Sequence, residues 1–391
     1  MTTARPHILP AIVISQLAGG SLWFAGNAVM PDLQRSGGLP EAALGQITTA
    51  VLLGFIAGTL VYSWLAISDR YSPRRIFLFS ALLGALMNAV TWWAGPNLWP
   101  LLGLRFATGF FLAGIYPVGM KIAAGWFDRD LGKALGWLVS ALVMGTALPH
   151  LIRALGNTLP WQSVMLSVSV IAAFGGVLMY TLVPDGPHLR SGARFDPAAF
   201  ATIFRSPDFR ASAFGYFGHM WELYAFWAFV PAFLAAAEPE LMADSRQLSF
   251  WAFAVIAAGA AGCIAGGYAS RSFGSARVAF AQLGTSGLCC LLSPLIFVMP
   301  YPAMLAFLLI WGISVAGDSP QFSALNAQYA PRDRVGSALT IVNCIGFAIT
   351  IVSIQLLSAV SSFVGAQYLF VLMTPGPILG LLALTHLARK A

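Results

Sequence analysis

Apolar residues along the chain gather into long runs, parted by short polar stretches. A helix that crosses a bilayer core needs roughly 17–25 residues. Twelve runs reach that length, at about 8–29, 42–67, 76–95, 98–126, 134–155, 161–183, 211–236, 248–269, 277–299, 302–327, 335–360 and 366–388. The pattern predicts an all-α integral membrane protein with twelve transmembrane helices. The first run follows one arginine, Arg5, and is too long for the h-region of a secretory signal, so it is expected to stay as a helix.

Ten of the eleven connections are short. The exception is VPDGPHLRSGARFDPAAFATIFRSPDFR, about 183–210, rich in Pro, Gly and Arg. It divides the chain into a six-helix half at 1–183, a linker at 184–210 and a second six-helix half at 211–391.

The halves share a sentence. AGIYPVGMKIAAGWFDRD, from Ala113, lies over AGDSPQFSALNAQYAPRD, from Ala316, at an offset of 203 residues without a gap. Ala113/Ala316, Gly114/Gly317, Pro117/Pro320, Ala124/Ala327, Arg129/Arg332 and Asp130/Asp333 are identical, and Gly109 falls on Gly312. The repeated stretch is helix four with its exit loop in one half and helix ten with its exit loop in the other. Both exits fall on the same side, which predicts parallel repeats, an arrangement common in transporters. The loops after helices two and eight, SDRYSPRR from Ser68 and GGYASRSFGSAR from Gly266, each begin an Asp/Ser-Arg turn, at Asp69-Arg70 and Ser270-Arg271.

Composition fits this picture. The 391 residues are 58% hydrophobic and only 9% charged, against about 25% charged in soluble domains. The net charge of +7 reflects topology. With both termini in the cytoplasm, 16 of the 21 basic residues lie on that side, three (Arg35, Arg153, Arg246) on the other, and two (Arg105, Lys121) inside a helix. This is a positive-inside bias and predicts a multi-pass inner-membrane protein. A nucleic-acid partner is not expected, because no soluble basic face exists. The four cysteines sit in apolar runs without metal-ligand or disulfide spacing, so neither a metal nor a cofactor is expected.

Twelve helices in two halves, a central basic linker and these loops resemble the major facilitator superfamily of transporters along the whole chain. The family's loop after helix two usually reads G-x-x-x-D-R-x-G-R-R. Asp69, Arg70 and Arg74/Arg75 match it, while Leu65 and Ser72 stand where glycines are usual. The resemblance implies a cytoplasmic gate latch at Asp69, Arg70 and Arg74. Arg105-x-x-x-Gly109-x-x-x-x-Gly114 is similar to the family's buried-arginine motif, and Leu308 takes the matching place in the second half. In helix five, Gly136 and Gly145 fit the antiporter motif G-x8-G-x3-G-P, but Pro149 and His150 replace its last two residues. Helix four also looks like the nitrate/nitrite and cyanate porter branch. The arginines of helices two and eight that nitrate porters use are absent, and helix eleven keeps only Asn343-x-x-Gly346 of their signature. Nitrate is therefore not the expected solute.

Ionisable groups inside membrane helices are costly and usually functional. Glu222 lies near the middle of helix seven in FGHMWELYAFWAF, with His219 one turn earlier on the same face. A Glu/His pair with coupled titrations could carry a proton or meet a cationic group, or could bond structurally to a neighbouring helix. Asp318 replaces Ile115 in the repeat, so it is a site residue or a cap for a break at Pro320. Arg105 could hold an anionic solute group or clamp carbonyls between helices, and Tyr116, eleven residues on, lies close to the same face. Lys121 is expected to snorkel, and His150 and Arg153 to sit at the outer rim. Trp23, Asn27, Tyr224, Gln321 and Asn343 complete a pocket of aromatic and amide groups.

The expectation is thus a secondary transporter, proton-coupled and monomeric. A small organic acid, an amphoteric metabolite or an aromatic compound is its solute, and lipid its surroundings. Glu222, with His219 and Asp318, would take the proton. No H-E-x-x-H or G-x-S-x-G group set points to an enzyme. A uniporter, or a non-transporting sensor or assembly protein on the same fold, is the alternative.

Overall fold

The computed structural model describes residues 6–127, 131–156, 159–189, 195–332 and 334–390. Arg5, Arg129, Asp130, Arg190, Arg194 and Asp333, used above for charge and repeat, lie outside the described residues. Among the described residues all regular structure is helical. Twelve helices are long and apolar enough to cross a membrane: α1 Ile8–Gly37, α2 Ala43–Trp64, α3 Pro73–Ala94, α4 Leu98–Trp126, α5 Lys133–Leu155, α6 Trp161–Leu182, α7 Pro207–Ala237, α8 Ser245–Phe273, α9 Ser275–Val298, α10 Tyr301–Tyr329, α11 Val335–Val360 and α12 Ala366–Lys390.

Two boundaries differ from expectation. The first helix runs on to Gly37, since the polar segment after Met30 stays helical up to the left-handed Gly38. The seventh begins at Pro207, because the Ser206 hydroxyl accepts from Phe209 N at 3.3 Å and proline suits the first helical turn.

The chain forms two compact units, Met1–Phe195 and Asp196–Ala391. In unit 1 the Trp126 indole donates to Pro184 O at 2.9 Å. In unit 2 Asp196 N donates to Ser337 Oγ at 3.0 Å, and Arg334 lies 3.3 Å from the Asp196 carboxylate. A short helical turn, 197–203, follows. Each unit buries one face of its helices and leaves large apolar side chains such as Phe79, Trp93, Phe174, Leu288 and Leu382 exposed, as lipid requires.

The duplicated sentence is a helix break. In α4 the regular helix stops at Leu112 and resumes at Tyr116. In α10 it stops at Gly317 and resumes at Ser319. Pro117 and Pro320 explain both, since proline has no N–H and its ring crowds the carbonyl four residues back. In α10 the carbonyl freed in this way, Ala316 O, accepts from the Cys263 thiol at 3.2 Å. Gly109 presses on the backbone of Val51 and Gly312 on that of Val255; a Cβ at either would collide with a carbonyl. The same small residue thus allows α2 to cross α4 in one unit and α8 to cross α10 in the other.

Candidate functional site

Unit 2 gathers three ionisable groups. Almost all of α7 between Phe209 and Leu234 is buried, His219 and Glu222 included. Asp318 is the residue at the α10 break and is fully buried at the start of an eleven-residue helical segment, where the helix dipole favours a carboxylate. His219 Nδ1 lies 2.8 Å from Asp318 Oδ1, and His219 Nε2 lies 2.8 Å from Ser319 Oγ. The imidazole thus lies between the Asp318 carboxylate and the Ser319 hydroxyl.

This differs from the Glu/His pair that the spacing predicts. The break turns Asp318 toward His219, and Glu222 finds other partners. Glu222 Oε2 accepts from Cys290 Sγ at 3.2 Å, and Ser286 is also a hydrogen-bond neighbour. Asp318 stays within Coulombic range of Glu222. Around the cluster, Tyr216 Oη donates to Asn343 Oδ1 at 3.1 Å, and the Phe322 ring lies 5.7 Å from that of His219. Gln321 is buried on the second segment of α10. Tyr224 packs on Trp227 and Phe347, with ring centroids 5.0 and 5.3 Å away.

Unit 1 holds the buried guanidinium. Helix α1 is broken between Gly20 and Ala25. Arg105 Nη2 donates to Leu22 O at 2.7 Å and Trp23 O at 2.9 Å, and Nη1 donates to Asn88 Oδ1 at 2.8 Å. Asn88 Nδ2 in turn donates to Met165 O and Ser169 Oγ. The side chain therefore clamps the freed carbonyls of α1 and ties α1, α3, α4 and α6 together. Those carbonyls close the first segment of α1, where the helix dipole is negative and a cation is favoured. The Trp23 and Phe55 rings pack with centroids 4.9 Å apart, tilted by 57°, and Asn27 Nδ2 donates to Thr48 Oγ1 at 2.8 Å. Tyr116 opens the second segment of α4. The break before it interrupts the helical register that would place it on the face of Arg105.

At the α2–α3 loop, Lys121 has a carboxylate partner. Its ammonium donates to Asp69 Oδ1 at 2.6 Å and to Ser68 O. Arg74 reaches Tyr180 O at 3.4 Å, lies 4.0 Å from Asp185 and stacks over the Tyr180 ring. Arg70 is exposed. At the other end of α1, Asp32 takes Nη2 and Nε of Arg153, each at 2.8 Å, and Arg35 as well. His150 is buried beside this end of α5.

Sequence reasoning missed Asp32, Asn88, Ser286, Cys290 and Ser319 as partners. Asn88 carried a signal, as an amide in the middle of an apolar run. The others had none, because their importance comes from what faces them.

The family model described as Major Facilitator Superfamily matches residues 12–237, more than half the chain, and the chain belongs to that superfamily. Among curated relatives, a putative metabolite transport protein of Haemophilus influenzae is 31% identical over 159 residues, 39% of this chain and 36% of that protein. The niacin transporter NiaP of Acinetobacter baylyi is 27% identical over 44% of this chain and 38% of its own. The 4-hydroxybenzoate transporter PcaK of Pseudomonas aeruginosa is 27% identical over 34% of this chain and 32% of its own. The chain thus spans less than half the length of these relatives. Among solved structures, the human organic anion transporter MFSD10 (TETRAN) superposes with a TM-score of 0.73 at 16% identity, over 97% of this chain and 100% of that one. The nucleoside transporter NupG gives 0.72 at 11% identity, over 97% and 99%. At that identity the likeness is one of fold.

Proposed function

We propose that the protein is a secondary active transporter that moves a small organic solute across the inner membrane by alternating access, driven by protons. The observation that carries this reading is the buried cluster of Glu222, His219 and Asp318 in unit 2. Buried carboxyls in a membrane helix are expensive and persist where protons or substrates pass. The candidate solute-facing residues are Tyr224, Gln321 and Asn343 within unit 2 and, separately, Trp23 and Asn27 within unit 1, as aromatic and amide side chains are suited to a small polar ring. Arg105, already committed to three acceptors, holds α1 and does not hold the solute. Tyr116, at the start of the second segment of α4, is kept with the solute-facing group.

Two of the relatives reported above are named for niacin and for 4-hydroxybenzoate, both small aromatic carboxylates. Nicotinate and 4-hydroxybenzoate are therefore the first probes. Asp69, with Lys121 as its partner, latches the cytoplasmic end, and Arg70 and Arg74 flank it. Both termini lie in the cytoplasm, on the side that carries 16 of the 21 basic residues, and the unit of function is a monomer.

The test is uptake of the two probes into proteoliposomes under an imposed pH gradient. Wild type is expected to accumulate a probe above its external concentration. Glu222→Gln is expected to lose accumulation while keeping solute exchange at equal pH. Accumulation in Glu222→Gln equal to wild type would remove Glu222 from coupling. Movement down a solute gradient only, in both proteins, would mark a uniporter.

A further inference from the structure

All four cysteines, Cys263, Cys289, Cys290 and Cys344, lie in unit 2. One of them is bonded to the acidic cluster. Cys290 Sγ donates to Glu222 Oε2 at 3.2 Å, and both side chains are fully buried. Ser286 sits one turn earlier on α9, so the two residues share a helix face. The Trp311 indole, which can only donate, gives its N–H to Ser286 Oγ at 3.2 Å. With that lone pair occupied, the serine proton is free to turn to Glu222, its other neighbour. Helix α9 thus presents two neutral donors to one carboxyl.

The other titratable groups nearby come from several elements. His219, on α7 itself, is engaged by Asp318 and Ser319. Asp318, from the α10 break, adds a like charge. Cys289 lies beside Cys290 on α9, Cys263 on α8 faces Asp318, and Cys344 lies on α11. Helix α12 contributes His386 and Lys390, which pair with Asp208 at the far end of α7.

We propose that Cys290 is a positioning residue for Glu222, its thiol holding the carboxylate in place while the proton is absent. This rests on the reading of Glu222 as the proton-carrying group. A hydrogen bond to a charged acceptor is roughly twice as strong as one to a neutral acceptor. The thiol therefore serves the ionised carboxylate more than the protonated one. A thiol is also a weak donor, so it steadies the group without fixing it in one state, as a guanidinium would.

Infrared difference spectra of the detergent-purified full chain, recorded through a pH titration, test this without a solute. A carboxyl C=O band that titrates in wild type should be missing in Glu222→Gln. The S–H band of Cys290 should shift with the same midpoint and vanish in Cys290→Ala. In Cys290→Ala the carboxyl midpoint should be displaced by about one pH unit. Cys290→Ser, which keeps a donor, should restore it, and Cys344→Ser should leave it unchanged. A carboxyl midpoint in Cys290→Ala equal to wild type overturns the role of Cys290 and leaves Glu222 as the proton site. A titrating band that survives in Glu222→Gln overturns the reading of Glu222 and the role of Cys290 with it. Should Cys290→Ala fail to fold, the wild-type S–H band decides: a band that stays fixed through the carboxyl titration overturns the proposal.

Discussion

The breaks in α4 and α10 occupy the same place in the repeat and hold different residues. Ile115 fills the first and Asp318 the second. The helices that face them differ in step. At the offset of 203, Glu222 corresponds to Gly19 and His219 to Gln16. The structure keeps that register inside each unit. A Cβ on Gly19 would meet Ile115, just as Glu222 feels Asp318. Gln16 lies against Gly119, just as His219 lies against Phe322. Unit 1 therefore has a glycine, an amide and an isoleucine where unit 2 has two carboxyls and an imidazole.

The charge in unit 1 is of another kind. Arg105 stays protonated in any physiological setting and is spent on the carbonyls of the broken α1. Leu308 takes its place in unit 2, where α7 is continuous across the matching region. Duplication preserved what the backbone needs, namely the Gly-lined crossings and the Pro-induced breaks. Divergence then gave one unit a permanent cation with a structural task and the other a set of groups that can gain and lose protons.

Substitutions that make one unit copy the other sharpen this contrast. The largest effect is expected for Arg105→Leu, the residue of unit 2. It leaves Leu22 O, Trp23 O and Asn88 Oδ1 without their donor, at about 1–3 kcal/mol for each buried group left unsatisfied. Thermal unfolding in detergent should show a loss of several degrees or no folded protein. Arg105→Leu with wild-type stability would contradict the clamp.

Asp318→Ile, the residue of unit 1, is expected to cost both coupling and stability. Removing one partner of a buried pair leaves the other, His219, without its carboxylate, which destabilises. The melting temperature should fall, by less than in Arg105→Leu because Ser319 still holds the imidazole, and pH-driven accumulation of the probes should disappear. An unchanged melting temperature would show that the pairing of His219 with Asp318 adds nothing to the fold.

The smallest effect lies at the α2–α3 loop. Ala66 is the one non-glycine with a left-handed backbone among the described residues, at φ 49°. It stands next to Leu65, where the superfamily motif usually has a glycine. Ala66→Gly relieves strain of about 1–2 kcal/mol and concedes about 0.4–1 kcal/mol of unfolded-state entropy. A gain of a fraction of a kcal/mol in detergent unfolding is the expected outcome, and a loss would show that Ala66 is not strained.

Much was legible in the sequence. Run length set the helices, since a bilayer core imposes one length on every crossing segment. The doubled sentence marked the repeat, and its prolines marked the breaks, because a missing N–H acts locally wherever it stands. Glu222, His219, Asp318 and Arg105 stood out as ionisable groups in apolar surroundings. Partnership was not legible. Spacing along α7 suggested Glu222 with His219, whereas the fold pairs His219 with Asp318 and Glu222 with Cys290. Lys121 read as a snorkelling residue and is the partner of Asp69. A pattern along one helix reports which residues share its face. Which groups face each other across helices depends on how the helices cross, and the Gly-lined contacts and Pro-induced breaks that set those crossings act only once the whole unit is packed.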